Sequence, residues 1–223
     1  MSQLAHFFTI DNVISETTLA RVLQAASAVP FHDGARTAGR WEGQRKCNTQ
    51  ADREGMRSAC DAVMDELMTH RALCKRVLPH EAVQPMLSRY RVGDFYGPHE
   101  DSPIQSGIRA DLSYSLFLGD PSTYEGGELV LGEGKAAVSI KLPSRSLVCY
   151  PTGLMHQVLP VTAGQRLVLV GWMQSLVRDP GQRDLLHEVH QTTDRLAARE
   201  GLETEVAALS RVYGRLLRQW AFA

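Results

Sequence analysis

The 223-residue sequence has no surplus of charge of either sign. Lys and Arg together number 24 and Asp and Glu 25, which leaves a formal net charge of −1. Without excess positive charge, the chain has no general electrostatic attraction for phosphate backbones or anionic lipid. The composition therefore argues against nucleic acid or a membrane surface as the main partner.

Long apolar runs and paired cysteines are also missing. No run approaches the roughly 20 residues of a membrane-spanning helix, and the first residues, MSQLAHFFTIDNVIS, have neither the basic nor the apolar segment of a secretory signal. Cys47, Cys60, Cys74 and Cys149 form no C-x-x-C pair, which argues against a zinc ribbon or a dense disulfide framework. We expect a cytoplasmic protein with free thiols.

The periodicity of the apolar residues changes along the chain. A spacing near 3.6 predicts helices over about 15–29 and 52–71, and a helical pair within 179–223. Between 83 and 174, short runs of β-branched and aromatic residues alternate with turn residues, which is typical of a sandwich or barrel. The expected strands are 84–92, 111–118, 126–131, 136–141, 146–150, 155–160 and 166–174.

The strongest local feature is the run YRVGDFYGPHED, from Tyr90 to Asp101. On an extended chain, residues i and i+2 point to the same face, so His99 and Asp101 can present an imidazole and a carboxylate to one point. A third metal ligand must then come from elsewhere in the chain. His156, near the start of a late predicted strand, is our candidate.

Two histidines and one carboxylate form the ligand set of non-haem Fe(II) oxygenases, whereas zinc prefers a closed tetrahedral site or thiolates. Arg166 heads an otherwise apolar strand, where its guanidinium is costly to bury without a carboxylate partner. Taken singly, the H-x-D spacing can arise by chance, His156 can be a core histidine, and Arg166 can pair with a surface acid. Their order along the strands favours a metal site.

Several further segments carry a family resemblance. They are Y-x-x-G-x-x-Y-x-x-H-x-D at 90–101, RADLS at 109–113, LFLGDP at 116–121, YEGGEL at 124–129, LMH at 154–156 and WMQSLVRD at 172–179. In these segments the sequence resembles Fe(II)/2-oxoglutarate-dependent dioxygenases of the prolyl 4-hydroxylase type, most closely the bacterial PKHD-type hydroxylases linked to iron uptake. The resemblance thins towards the N-terminus, where 37–39 and 46–48 match.

The resemblance implies a mainly β fold with flanking helices. Its core would be a double-stranded β-helix, or jelly roll, over about 84–178, preceded by two N-terminal helices. A dioxygenase domain would then span 1–178, and 179–223 would form a C-terminal helical extension. The apolar stripes of the two C-terminal helices need a surface to cover, so we also consider a homodimer formed through them.

The resemblance also implies roles for individual residues. His99, Asp101 and His156 would bind Fe(II), and Arg166 would bind the distal carboxylate of the cosubstrate 2-oxoglutarate, supported by Tyr90. L-Ascorbate would keep the iron ferrous. Many relatives carry Ser or Thr two residues after the arginine, whereas Val168 stands there in this chain, so more of the carboxylate contact would fall to Tyr90.

Nearby residues have less specific interpretations. Asp111 and Ser113 share a strand face and either line the pocket or form hydrogen bonds inside the barrel. Trp172 is more typical of core packing than of a substrate platform. We therefore do not assign these three residues to the site.

The function expected from these residues is hydroxylation by an Fe(II)- and 2-oxoglutarate-dependent dioxygenase, with release of succinate and CO₂. The substrate would be a peptide or a small molecule: a peptidyl or free amino acid, or a siderophore-related compound. One alternative is a non-oxidative, cupin-like metal protein or sensor, which has no need of a carboxylate-binding arginine. A second is a non-enzymatic interaction module that acts through the C-terminal helices.

Overall fold

A computed structural model describes residues 6–38 and 46–222 of the chain. The described residues form helices and antiparallel strand pairs that build two facing sheets. The helices are α1 (Glu16–Ala28), α2 (Arg53–Thr69), α3 (Arg71–Val77), α4 (Pro180–Ala197) and α5 (Glu203–Trp220). The first nine strands are β1 (Phe8–Ile10), β2 (Phe31–Asp33), β3 (Lys46–Cys47), β4 (Thr49–Ala51), β5 (Pro79–Ala82), β6 (Met86–Arg91), β7 (Phe95–His99), β8 (Ile104–Gln105) and β9 (Ile108–Arg109). The remaining strands are β10 (Leu112–Phe117), β11 (Tyr124–Gly126), β12 (Leu129–Leu131), β13 (Val138–Ile140), β14 (Leu147–Pro151), β15 (His156–Val158) and β16 (Val161–Ser175).

The two sheets differ in size and in what they carry. The major sheet has nine strands in the order β1-β14-β10-β16-β6-β4-β2, and β5 and β11 also pair with β16. The minor sheet has five strands in the order β13-β12-β15-β7-β3, and β8 and β9 form a separate hairpin. This arrangement confirms the mainly β, jelly-roll class with flanking helices.

Alternation along the central strands explains why both faces of the major sheet are buried. On β10, Leu112, Tyr114 and Leu116 belong to the core beneath α1 and α2. Phe117, on the opposite face, belongs to the core between the two sheets. Because successive side chains of a strand point to opposite faces, one strand supplies both cores.

Each predicted strand has a counterpart, and the predicted helix over 52–71 needs a correction. That helix ends at Thr69, because His70 adopts an extended conformation (φ −67°, ψ 110°). The His70 side chain accepts a hydrogen bond from the Leu73 backbone N–H and so caps a further helix, α3, which periodicity alone did not separate from α2.

The helical pair predicted within 179–223 is present as α4 and α5, with α4 packed against α3 and α5 packed against α4. Leu186 is fully buried, and buried Arg183 donates hydrogen bonds of 2.8 Å to the carbonyls of Val177 and Arg178. Lys75 on α3 forms an ion pair of 2.6 Å with Asp194 on α4. The division of the chain at residue 178 stays a prediction.

Candidate active site

Strand pairing brings the two predicted histidine ligands together. His99 is the last residue of β7, His156 is the first of β15, and the two are direct cross-strand partners. Their ring centroids lie 4.2 Å apart. Asp101 follows β7 by two residues, with Oδ1 3.8 Å from His99 Nε2 and Oδ2 3.7 Å from His156 Nε2. Ligand atoms of these three residues, which we call the triad, lie within 4.8 Å of one another.

Backbone carbonyls fix the orientation of both imidazole rings. Nδ1 of His99 lies 2.8 Å from the carbonyl of Gly97, and Nδ1 of His156 lies 2.9 Å from that of Leu154. A carbonyl can only accept, so Nδ1 of each ring carries the proton and donates it. The lone pair of Nε2 is therefore left for a metal ion, as in most histidine metal sites.

Burial favours the neutral, ligating form of the His99 ring. The two histidines are each 5% exposed. Burial, followed by the proximity of His156, lowers the pKa of His99 well below its usual value. Tyr96 stacks on the His99 ring at a centroid distance of 3.6 Å and closes that side of the site. His99 is thus deprotonated at Nε2 near neutral pH.

Ser113, left between two interpretations by the sequence, contacts the carboxylate of the triad. Its hydroxyl donates a 2.6 Å hydrogen bond to Asp101 Oδ2 and lies 3.3 Å from Thr152 Oγ1. Asp111 does not join the triad, since its carboxylate accepts hydrogen bonds from Arg109 and from the backbone N–H of Ser175. Only one of the two polar residues therefore supports the candidate metal site.

Arg166 lies on the major sheet with its charge turned to the interior. It is 1% exposed and pairs in register with Tyr90 on β6. None of its three guanidinium nitrogens has a hydrogen-bond partner among the described residues. Its neighbours are aromatic faces, with the rings of Tyr90 and Phe117 centred 5.1 and 5.3 Å from the guanidinium carbon. A buried cation without an anion is costly, so this position fits a carboxylate ligand.

Tyr124 is a candidate that the sequence analysis missed. Its hydroxyl is buried beside the guanidinium of Arg166 and makes no well-formed hydrogen bond with the described residues. Burial raises the pKa of Tyr124, while the charge of Arg166 acts in the opposite direction. A side chain on neighbouring Gly127, which has φ +66°, would place its Cβ 3.2 Å from Arg166 Cδ. The YEGG run at 124–127 could therefore have pointed to Tyr124, because its second glycine leaves room for the arginine beside the tyrosine.

All five predicted site residues line one cavity of about 650 Å³, a volume within the usual range of ligand pockets. Trp172 packs in a small core cluster with Val83 and Ala110 and also lines this cavity, and its buried indole N–H has no partner among the described residues. The family segment at 46–48 is described, and Lys46 lines the cavity as well. Gly39 of the other N-terminal segment lies outside the described residues.

Two family models match the chain. Residues 85–174 match the 2OG-Fe(II) oxygenase superfamily, and residues 180–221 match the PKHD-type hydroxylase C-terminal domain. A PKHD-type hydroxylase of Shewanella baltica is 38% identical over 95% of this chain and 97% of its own. One from Maricaulis maris is 42% identical over 86% of this chain and 88% of its own.

Solved structures share the fold at low sequence identity. A prolyl-4-hydroxylase of Pseudomonas putida superposes with a TM-score of 0.57 at 19% identity, covering 76% of this chain and 92% of that one. A prolyl hydroxylase of Trichoplax adhaerens, solved with a hypoxia-inducible-factor peptide, gives 0.53 at 19% identity, covering 81% and 86%.

Fold, cavity and family matches together define an oxygenase of the Fe(II) and 2-oxoglutarate class. Within that class, the chain belongs to the PKHD-type hydroxylase family.

Proposed function

We propose that His99, Asp101 and His156 hold Fe(II), and that Arg166 with Tyr90 binds the distal carboxylate of 2-oxoglutarate. The observation that carries this proposal is the buried, unpartnered guanidinium of Arg166 in the same cavity as the three ligand side chains. Val168, two residues further on, offers no hydroxyl. Tyr124 does not itself line the cavity, and we include its buried hydroxyl, which lies beside Arg166, as a second group that supports the guanidinium.

When bound, Fe(II) and 2-oxoglutarate supply the oxidising chemistry that places one oxygen atom of O₂ in a substrate C–H bond and releases succinate and CO₂. The protein contributes geometry. Arg166 fixes one end of the cosubstrate, which orients the other end towards the triad. The aromatic rings of Tyr96 and Tyr150 lie against the histidines and restrict water beside them.

The finer parts of the proposal concern substrate, reductant and setting. We propose hydroxylation of a peptidyl or free amino acid or a siderophore-related molecule, supported by relatives named hydroxylases and structural neighbours named prolyl hydroxylases. We further propose L-ascorbate as reductant, a cytoplasmic location consistent with four free thiols, and a homodimer through the C-terminal helices. Among the described residues, none of the helices has both the length and the apolar character needed to span a bilayer.

Anaerobic addition of Fe(II) and 2-oxoglutarate to the protein tests the site. We expect a visible metal-to-ligand charge-transfer band, because the cosubstrate would chelate the iron beside the triad. His99→Ala and Asp101→Ala, which each remove one of three ligands, should abolish the band and 2-oxoglutarate turnover while the far-UV circular dichroism stays unchanged.

The same experiment separates the proposal from its alternatives. A cupin-like metal protein or sensor would bind the metal ion without the band, since it does not need the cosubstrate. A non-enzymatic interaction module would give neither the band nor succinate. Wild-type turnover in His99→Ala or Asp101→Ala would contradict the ligand assignment.

A further inference from the structure

A second, smaller cavity adjoins the one that holds the triad. It has a volume of about 280 Å³ and shares four wall residues with the larger cavity: Thr37, Gln50, Arg53 and Met86. The two spaces therefore meet at a common wall of polar, cationic and apolar side chains. None of the roles proposed above uses this second cavity.

The shared wall contains a buried hydrogen-bonding group without a partner. Gln50 on β4 is only 7% exposed, and its Oε1 accepts a 2.8 Å hydrogen bond from Thr37 Oγ1. Lys46 Nζ donates to the same hydroxyl at 2.8 Å, which holds it in place. Nε2 of Gln50 has no partner among the described residues. Because an unmade buried hydrogen bond is costly, this N–H group is suited to an acceptor atom of a ligand.

The positive charges of the second cavity are available, whereas its acids are engaged. Arg36 and Arg53 are exposed and make no ion pair or side-chain hydrogen bond with other described residues. Asp33 and Asp52 accept hydrogen bonds of 2.9 and 2.8 Å from backbone N–H groups at the starts of the helical turns they cap. Besides these two capped carboxylates, the cavity therefore offers two guanidinium groups and one amide N–H as donors to a ligand.

We propose that the second cavity binds a carboxylate of the substrate. Arg53 and Arg36 pair with the carboxylate oxygens, a geometry that suits the planar guanidinium fork, and Gln50 Nε2 donates to one of them. The rest of the substrate passes Met86 into the larger cavity, where its C–H bond meets the metal site. This inference rests on the proposed function and restricts the substrate class to carboxylate-bearing compounds, either small molecules or peptides.

The test uses the full-length protein loaded with Mn(II) and 2-oxoglutarate. Mn(II) accepts nitrogen and carboxylate ligands and is paramagnetic, so it shortens the proton relaxation times of molecules bound nearby. The probes are N-acetyl amino acids against their methylamides, and short peptides with a free against an amidated C-terminus. Members of each pair differ only in the carboxylate, and a dissociation constant is measured for each.

We expect the carboxylate member of a pair to bind at least about tenfold more tightly, which corresponds to one charge-assisted hydrogen bond. The double variant Arg36→Gln/Arg53→Gln should remove that preference, and Gln50→Leu should reduce it severalfold. Arg57→Gln is the matched control, because Arg57 lies one turn along α2, is exposed and lines neither cavity. It should leave the preference unchanged.

The outcomes separate this subsite from the function on which it rests. A preference among the amino acids identifies a small-molecule source, and one among the peptides identifies a chain terminus; either supports the subsite. Equal binding within every pair, or a preference that survives in the double variant, overturns it. Failure of the protein to bind Mn(II) and 2-oxoglutarate at all would contradict the proposed function itself.

Discussion

The hydroxyl of Ser113 donates a 2.6 Å hydrogen bond to Oδ2 of Asp101, the carboxylate that lies between His99 and His156. Ser113 belongs to the major sheet, whereas both histidines belong to the minor sheet. The contact therefore ties the candidate metal ligands of one sheet to the scaffold of the other. Outer-shell hydrogen bonds of this kind orient a ligand before the metal binds.

Replacing Ser113 by alanine should weaken metal binding by roughly ten- to a hundredfold, because Asp101 loses the donor that fixes its orientation. Equilibrium titration with Fe(II) under anaerobic conditions measures the effect. The control is Ser139→Ala, on an exposed position of β13, which should bind metal as the parent protein does. Equal metal affinity in the two variants would show that Ser113 has no positioning role.

Arg166→Met should weaken 2-oxoglutarate binding by about a hundredfold without lowering the stability of the ligand-free protein. The substitution removes a charge-assisted pair with the cosubstrate, worth about 1.5–3 kcal/mol, and also removes a buried cation that has no partner in the described residues. Calorimetric titration and denaturant unfolding measure the two effects separately.

Arg183→Met provides the matched comparison, since Arg183 is an equally buried arginine with a structural role. Its guanidinium donates to the carbonyls of Val177 and Arg178, which the substitution would leave unsatisfied. We expect its free energy of unfolding to fall by about 1–3 kcal/mol, with cosubstrate binding retained. A large loss of stability in Arg166→Met would instead identify Arg166 as a structural residue.

Tyr124→Phe should raise the dissociation constant of 2-oxoglutarate by about three- to tenfold. The change removes a neutral hydroxyl donor but keeps the ring, whose face lies 4.1 Å from Lys141 Nζ. Tyr213→Phe is the control, because Tyr213 lies on α5, where its ring packs beside that of His190. Unchanged affinity in Tyr124→Phe would leave Tyr90 as the hydroxyl that supports Arg166.

The four free thiols should differ in their rates of alkylation. Burial raises the pKa of Cys60 to about 11 and that of Cys149 to about 12, so at pH 8 roughly a thousandth or less of either is the reactive thiolate. Cys47 is exposed and should react first with iodoacetamide, followed by half-buried Cys74. Mass spectrometry of briefly treated native protein gives the order. Early labelling of Cys149 would contradict the buried-thiol assignment.

Local patterns were sufficient for much of the fold. The strands of the core follow from alternating apolar residues, and α1 and α2 follow from helical spacing. Each period arises when a single strand or helix buries one face against a core. The separation of α2 from α3 could not be predicted in this way. It depends on the extended conformation of His70, and histidine is an uncommon helix cap.

The sequence by itself determined that His99 and Asp101 share a point, since an i, i+2 spacing on an extended chain puts two side chains on one face. It also indicated that a buried arginine at 166 requires an anion. The first inference depends only on local chain geometry, and the second rests on the cost of burying a charge.

Only the tertiary structure decided which distant residues complete the site. The pairing of β15 with β7 places His156 opposite His99, and packing of the sheets brings Ser113, but not Asp111, to Asp101. Likewise, no local pattern joined Gln50 to the cavity. The physical reason is that strand register and sheet order are set by contacts between distant segments, which a period along one strand does not encode.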